Sequence, residues 1–494
     1  MFKLDSIKTR LEEMVKINAA SAMTDEQIIL KEIKDFKISQ KRRDMVNGIS
    51  YFKGKHDILQ RKRTVIGKDG EAEEVNNLPN NRIVDNQYRK MVMQKTNYIL
   101  GRPLSIKCEN KEYSKQINQL MNRKFARTLK LVCEDALNCG IGYILPMYSA
   151  SGEFVFKRLN PTEIIPLWKD AEHTELDAFI RFYDVSEYEG KKEKIITKVE
   201  VYDVNGVSYF QISENEDSLI PEADEHLPYF SIGDNNFNWT KIPLIAFKYN
   251  SREIPLINMV KSLQDGLNLI ESNFQNNMEE DPRNSIMVLV NYDGENLGEF
   301  RRNLSTYGAV KVRSMDGSHG DVKTLQVEVN SENYKAILSL FKKAIIENAM
   351  GYDAKDDRIG GNANQMNIQS MYSDIDLDAN GMETEFQAAL DELLYFINCH
   401  LFNTGKGDYE SEIIDIVFNR DMMMNKTEQI ENIQKSVGIL SDETLLANHP
   451  WVSDPQEELE RIEKQKKEEF EQFGGYNEAF NNPKDEKEPE KGDD

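Results

Sequence analysis

Leu256, Val260, Leu263, Leu267, Ile270, Phe274 and Met278 recur at steps of three and four residues. Strand side chains alternate every second residue, so only a helix places this set on one stripe. The stripe predicts a long amphipathic helix that packs lengthwise on a neighbour, ended by Asp281-Pro282. Ser331-x-x-Tyr334 opens a second helix through Ile337, Leu338, Phe341, Ile345 and Ile346 to Met350. A short α/β insertion lies between about 281 and 330. It reads as strand Ile286 to Asn291, a turn at Asp293-Gly294, a short helix near Glu295 to Leu304, and strands Ala309 to Arg313 and Val322 to Val329. Two amphipathic helices thus bracket a small module. The stripe suits either an ordinary core or packing between subunits.

The rest of the chain is mainly helical with one strand-rich region, an α+β chain. Ile28, Ile29, Ile33 and Phe36 fall at helical spacing, and Arg82 to Leu100 continues as helix with Ile83, Val84, Tyr88, Met91, Val92, Tyr98 and Ile99, stopped by Gly101-Arg-Pro103. Phe125 to Asn138 is helical and ends at Gly140. Alternation then predicts strands at Tyr143 to Met147, Glu153 to Arg158, Phe179 to Val185, Ile195 to Tyr202 and Val207 to Ile212, with a turn at Asn205-Gly206. A glycine-rich loop covers 351–365. A long helix follows from Met366 to about Phe402, with Gly381 a candidate bend. After a strand at Ile413 to Phe418, helices start at Asn425 (a cap with Glu428), at Ser441 and at Asp454-Pro455. Beyond Gly474-Gly475, six acids and three lysines in the twelve residues from Pro483 give the composition of disorder.

The 494 residues allow about three folding units, and the formal net charge is −23. No apolar run approaches the roughly 20 residues that span a bilayer, and Met1-Phe-Lys-Leu-Asp-Ser-Ile-Lys shows no secretory signal, so a cytoplasmic protein without membrane contact is expected. Cys108, Cys133, Cys139 and Cys399 contain no Cys-x-x-Cys and read as free thiols. The six histidines share no metal-binding spacing. Gly48-Ile-Ser-Tyr-Phe-Lys-Gly54-Lys55-His56 imitates a phosphate loop but has five residues between its glycines and ends in His56, where a hydroxyl is needed. Asp353, Asp356 and Asp357 offer carboxylates for a divalent ion, as a metal-dependent DNA-processing enzyme would need, yet Lys355 and Arg358 interleave them. No catalytic residue, metal site or cofactor is expected, and the chain reads as a non-enzyme. Lys41, Arg42, Arg43, Lys53, Lys55, Arg61, Lys62, Arg63 and Lys68 outnumber Asp44 and Asp57; the stretch is a nucleic-acid patch, a solvated surface or a subunit contact.

Gly48 to Arg63, and Asn81-Arg-Ile-Val-Asp-Asn through Asn97-Tyr-Ile-Leu-Gly-Arg-Pro103, resemble segments of tailed-phage portal proteins of the type found in siphophages of Gram-positive hosts. Ala136 to Tyr143, Val260 to Asn277, the Met366 helix and Ser441 to Pro455 resemble further family segments in family order. The resemblance implies a portal fold of wing, stem, clip and crown assembled as a cyclic ring, a homododecamer at one capsid vertex of the virion, built in the host cytoplasm. Through it terminase would drive double-stranded DNA inward, and DNA would later leave. The implied partners are further copies of the chain, the terminase large subunit, head-completion or adaptor proteins, and scaffolding and major capsid proteins.

By position, residues 1–255 would be wing, 256–280 and 331–350 stem helices, and 281–330 the clip. Residues 351–365 would be the tunnel loop, 366–424 wing again, 425–475 crown, and 476–494 a disordered acidic tail. The resemblance assigns Lys355, Arg358, Asn362 and Asn364 to the DNA-channel loop, and Arg301, Arg302, Lys311 and Arg313 to the clip. Leu256, Val260, Leu263, Leu267, Ile270, Phe274, Ile337 and Phe341 would pack the stem, and Trp451 would anchor the crown. An acidic chain suits a conduit, since a lumen dense in Lys and Arg would hold duplex phosphates by counterion release.

Overall fold

The computed structural model describes residues 24–478 apart from 67–69, 77, 172, 190–191, 214, 223–225, 281–285, 291–320, 326–330, 354–364, 421–425 and 453–454. The described residues fall in two compact units. One holds residues up to Asp353 together with Asp374–Asp421, and the other Ala354–Ser373 together with Met422 onward.

In the first unit, α1 (Asp25–Ile38) starts in a capping box: Thr24 Oγ1 accepts the Gln27 N–H while the Gln27 side chain accepts the Thr24 N–H. Ser39 is both the residue after α1 and the N-cap of α2 (Gln40–Phe52), so the two helices meet at a one-residue corner. A two-stranded hairpin follows, β1 (Thr64–Ile66) and β2 (Ala72–Glu74). Helix α3 spans Gln87–Leu100, five residues shorter than its apolar pattern predicts, because Asn86 caps it by accepting the Arg89 N–H. Next come β3 (Ser105–Lys107), α4 (Lys111–Leu120) and α5 (Arg123–Cys139), which closes at Gly140 in the left-handed region, φ +83.

Two antiparallel sheets form the strand-rich region. The smaller has the order β13-β4-β5, made of Ile141–Tyr148 (β4), Phe154–Leu159 (β5) and Ile245–Lys248 (β13). The larger has the order β10-β9-β8-β7-β6: Ile164–Trp168 (β6), Leu176–Glu189 (β7), Lys192–Asp203 (β8), Gly206–Ile212 (β9) and Leu219–Pro221 (β10). The Asn205-Gly206 turn joins β8 to β9 as its sequence predicts, pairing Asp203 with Gly206. A small hairpin, β11 (Phe230–Ile232) and β12 (Asn235–Phe237), precedes β13. Ile28, Ile29 and Ile33 of α1 cover the larger sheet at Ile180, Phe182, Val199 and Val201, and Ile141, Tyr143 and Leu145 of β4 join Phe179 and Tyr202 in a second core. Cys133 and Cys139 are buried free thiols, and Cys108 and Cys399 are half-buried.

The predicted stripe helix is α6 (Ile257–Glu280), and the helix after the insertion is α7 (Ser331–Asn348). Of the insertion between them, β14 (Ile286–Val290) and β15 (Asp321–Leu325) pair antiparallel. The expected strand Ala309 to Arg313 and helix near Glu295 to Leu304 lie outside the described residues. Helix α8 (Gln365–Asn403) runs unbroken through Gly381, its residues through Ser373 clustering with the second unit. Only Asp415–Val417 of the predicted Ile413–Phe418 strand pairs, as β16 against β3.

The second unit continues with α9 (Lys426–Ser436), α10 (Asp442–Ala447), capped by the Ser441 side chain, and α11 (Pro455–Glu478). Helix α11 passes through Gly474 and Gly475 and ends at Glu478. The tail from 479 and the Asn425 cap lie outside the described residues. Trp451 is 73% exposed and meets the edge of His449, so among the described residues it is not a buried anchor.

Candidate functional site

Four polar side chains on α6, Gln264, Asn268, Ser272 and Asn276, are completely buried. They stand four residues apart, one above the next on a single helix face. Residues 81–88 lie against them. Asn276 Oδ1 accepts the Asn81 N–H at 2.7 Å, Ser272 Oγ the Ile83 N–H at 2.9 Å, Asn268 Oδ1 the Asp85 N–H at 3.1 Å, and Gln264 Oε1 the Tyr88 N–H at 3.0 Å. Bonding at 81, 83 and 85 is the alternation of extended chain. Two extended residues advance about 6.6 Å and four helical residues about 6.0 Å, so the two repeats stay in register over two steps. This segment, a strap running opposite to α6, replaces the helix predicted over Arg82 to Asn86. Its Asn81, Ile83 and Asp85 N–H groups are satisfied by α6 side chains instead of a helical turn.

The polar row extends to His56. Asn268 already accepts two bonds on Oδ1, so its Nδ2 donates to His56 Nδ1 at 2.8 Å, and His56 Nε2 donates to the Tyr51 carbonyl at 3.1 Å. The ring is therefore neutral, and burial holds its pKa below the usual histidine value. Gly48 of the same segment lies inside α2, where a Cβ would sit 1.9 Å from the Asn138 carbonyl oxygen. The imitation phosphate loop is thus a helix crossing followed by a helix end.

Helices α6 and α7 pack antiparallel as a hairpin. Gly266 admits the Phe341 ring, since a Cβ there would lie 2.5 Å from Phe341 Cε1. Phe274 meets Tyr334 at 4.8 Å between ring centroids, and Asn277 Nδ2 donates to the Tyr334 hydroxyl. Lys342 of α7 reaches Asp85 of the strap at 2.7 Å and Glu271 of α6 at 3.5 Å. Burial works to raise both acids. The Lys342 ammonium and Gln87 amide nonetheless hold Asp85 below its ordinary value, while burial and the Asp85 charge keep Glu271 above its own.

The stem stripe is therefore divided. Leu256, Val260 and Leu267 are fully buried within one chain, the ordinary-core alternative for these three. Leu263, Ile270, Phe274 and Phe341 are half-buried, and Ile337 is exposed. Met259, Leu269, Met278 and Leu340, the last 67% exposed, are the hairpin's other open apolar side chains.

At the end of α7, Met350 takes a left-handed conformation, φ +49, and the Gly351 N–H donates to the Ile346 carbonyl. Lys95 of α3, 1% exposed, donates to the Met350 carbonyl at 3.1 Å and to Asp378 of α8 at 2.6 Å. Tyr249 donates to the other Asp378 oxygen at 2.9 Å. Gln94 holds both backbone groups of Tyr352: its Oε1 accepts the N–H at 3.1 Å and its Nε2 donates to the carbonyl at 2.8 Å. The chain entering the 351–365 segment is thus clamped to α3. Lys355, Arg358, Asn362 and Asn364 lie outside the described residues, as do the clip residues Arg301, Arg302, Lys311 and Arg313.

Much of the N-terminal basic stretch is occupied structurally. Lys41 pairs with Glu253 at 2.5 Å, Arg42 donates to the Thr162 carbonyl, Arg61 to Asn273 Oδ1, and Lys62 pairs with Glu74. These four side chains are engaged within the chain. Among the described residues no three His, Cys, Asp or Glu side chains gather as a metal site, with Asp356 and Asp357 outside that set. None of the described helices is long and apolar enough to cross a membrane.

The family model of phage portal proteins, SPP1 Gp6-like, matches residues 32–472. The portal protein of Bacillus phage SPP1 is 28% identical over 463 residues, covering 93% of this chain and 90% of that protein. The portal protein of Clostridium phage phiCD119 is 29% identical over 432 residues, covering 84% and 91%. A chain in the neck of an empty gene transfer agent particle aligns at a TM-score of 0.42 and 13% identity, over 73% of this chain and 89% of that one.

Proposed function

The chain belongs to the SPP1 Gp6-like family of phage portal proteins, and from that premise we propose that it forms a closed ring of twelve copies at one capsid vertex. The ring is the channel through which the terminase large subunit packs double-stranded DNA and through which DNA is ejected. It is also the docking site for head-completion or adaptor proteins, and it meets scaffolding and major capsid proteins during assembly. The protein carries no catalytic step of its own.

The α6–α7 hairpin is the stem, residues 281–330 the clip, 351–365 the tunnel loop and 425–475 the crown, with most of the remainder wing. The observation that carries this reading is the family match across 32–472, with the helical hairpin and its paired β14–β15 insertion inside it. Two features support it. Open apolar side chains on the hairpin, Ile337 and Leu340 among them, offer a face to a neighbouring copy, and a cyclic ring joins unlike faces. The net charge of −23 suits a wall along which a polyanion slides. The clamp formed by Gln94 and Lys95 gives the loop a fixed root while Lys355 and Arg358 meet phosphates. Electron microscopy of the purified protein tests the proposal: closed rings with an axial hole wide enough for duplex DNA are expected. Their absence at every salt and protein concentration overturns it.

A further inference from the structure

We infer that a groove beside the β11–β12 hairpin and the end of α8 receives the α1–α2 corner of a second copy, a contact that rests on the ring reading and specifies one of its interfaces. The groove, about 760 Å³, runs between the hairpin, α8 and residues 408–414. Its walls include Phe237, Trp239, Phe402 and Ile413. Phe402 is 63% and Ile413 87% exposed, large apolar surface that no described residue covers. Asp391, Asp408, Glu410 and Glu412 rim it. Among the described residues none of the four has an ion pair; Glu412 accepts from Asn110 Nδ2, and Asp408 from the Glu410 N–H. The groove is an apolar floor with four acids on its lining and one cation beside it, Lys241, whose ammonium lies 4.4 Å from the Tyr395 ring, so its net charge is negative.

The α1–α2 corner is its complement. Ser39 joins the helices in one residue: its N–H donates to the Phe36 carbonyl and its Oγ accepts the Arg42 N–H. That short corner projects Ile38 at 71% exposure. Five bases and one acid lie between Lys34 and Arg43. Two of the bases are engaged, Lys41 with Glu253 and Arg42 with the Thr162 carbonyl. Lys34, Lys37 and Arg43 have no ion pair among the described residues and, with the exposed Asp35 between the first two, leave the corner net cationic, Lys37 lying 5.8 Å from the Phe182 ring. A net-cationic corner with an aliphatic tip thus complements a net-anionic groove with an aromatic wall, the pattern of a specific interface. Both halves are on one chain at different places, as a head-to-tail ring contact requires.

Both substituted positions of the test are exposed, so folding is spared. In a Cys108→Ser/Cys399→Ser background, which removes the two half-buried native thiols, one of them in the groove, the Ile38→Cys/Ile413→Cys variant treated with a short bismaleimide should give a ladder of covalent multimers on denaturing gels, and neither single variant should. The Lys34→Glu/Lys37→Glu variant should need about tenfold more protein to assemble, a loss of roughly 1.4 kcal/mol, and Asp408→Lys/Glu410→Lys should restore assembly. Rings by electron microscopy without the ladder, an Ile413→Cys adduct to any other segment or protein, or no restoration by the reversed charges overturns the inference and leaves the ring standing. Absence of rings in the unmodified protein overturns the ring reading itself.

Discussion

Ser272 Oγ accepts the Ile83 N–H at 2.9 Å while its own hydroxyl donates to the Asn268 carbonyl at 2.7 Å, both inside a fully buried row. One small side chain thereby serves the strap and closes back on its own helix. Ser272→Ala leaves the Ile83 N–H buried without an acceptor, and a buried unmet donor costs about 1–3 kcal/mol. Asn268→Leu removes the acceptor for Asp85 and the donor for His56 together and should cost more. Chemical denaturation of the two variants should give losses in that order; a Ser272→Ala variant as stable as the unmodified protein would show that water enters the row.

The pH response of the same row has a definite sign. His56 is neutral and buried in the fold, with its pKa below the ordinary 6.5, and His400, buried with its Nδ1 2.9 Å from the Tyr148 hydroxyl, shifts the same way. The unfolded chain therefore binds more protons than the folded chain between the lowered values and 6.5. This stabilisation is complete above 6.5 and is lost as pH falls through the folded values. Thermal melts from pH 7 to 5.5 should show falling stability, and His56→Asn should flatten part of that slope. An unchanged slope would mean that His56 does not titrate differently in the two states.

How much of this was legible beforehand depends on which forces left marks in the residue pattern. The stripe of α6 was readable because burying one face of a helix demands apolar residues at steps of three and four. The row from Gln264 to Asn276 uses the same spacing, but polar residues at that spacing ordinarily face solvent, so its burial left no signal of its own. The strap was misread for a related reason: Ile83 and Val84 extend the apolar period of α3, and only Asn86 marks the true helix start. The division of the stripe was hidden because Leu256 and Ile337 are equally apolar, and only packing distinguishes the buried one from the exposed one. Gly474 and Gly475 fail to end α11, which starts in a run of strong helix formers from Glu457 to Gln472 and carries on through them to Glu478.

Gly48 gives a steric prediction. A methyl at this position meets the Asn138 carbonyl oxygen at 1.9 Å, and that oxygen belongs to the backbone of α5, which has no rotamer with which to yield. Overpacking commonly costs 1–3 kcal/mol and more where backbone must move, so Gly48→Ala should lose at least about 3 kcal/mol or fail to accumulate as folded protein. Gly381→Ala in α8, where a Cβ meets nothing within 4 Å, is the control and should be neutral or slightly stabilising. Equal stabilities for the two variants would contradict the close crossing of α2 and α5.

Lys95 joins three elements through one ammonium: its own α3, the Met350 carbonyl after α7, and Asp378 on α8. Burial lowers its pKa while Asp378 opposes that shift, so the cation persists only because its partners surround it. Lys95→Met leaves a partly buried carboxylate held by Tyr249 alone and frees the Met350 carbonyl. Breaking a buried pair from one side costs about 3–5 kcal/mol. Lys95→Met/Asp378→Leu removes both charges and should recover a good part of that loss, since two apolar side chains need no counter-ion. The double-mutant cycle by denaturant unfolding measures the coupling. A double variant no more stable than Lys95→Met would show that the Met350 carbonyl, rather than the ion pair, is what Lys95 chiefly satisfies.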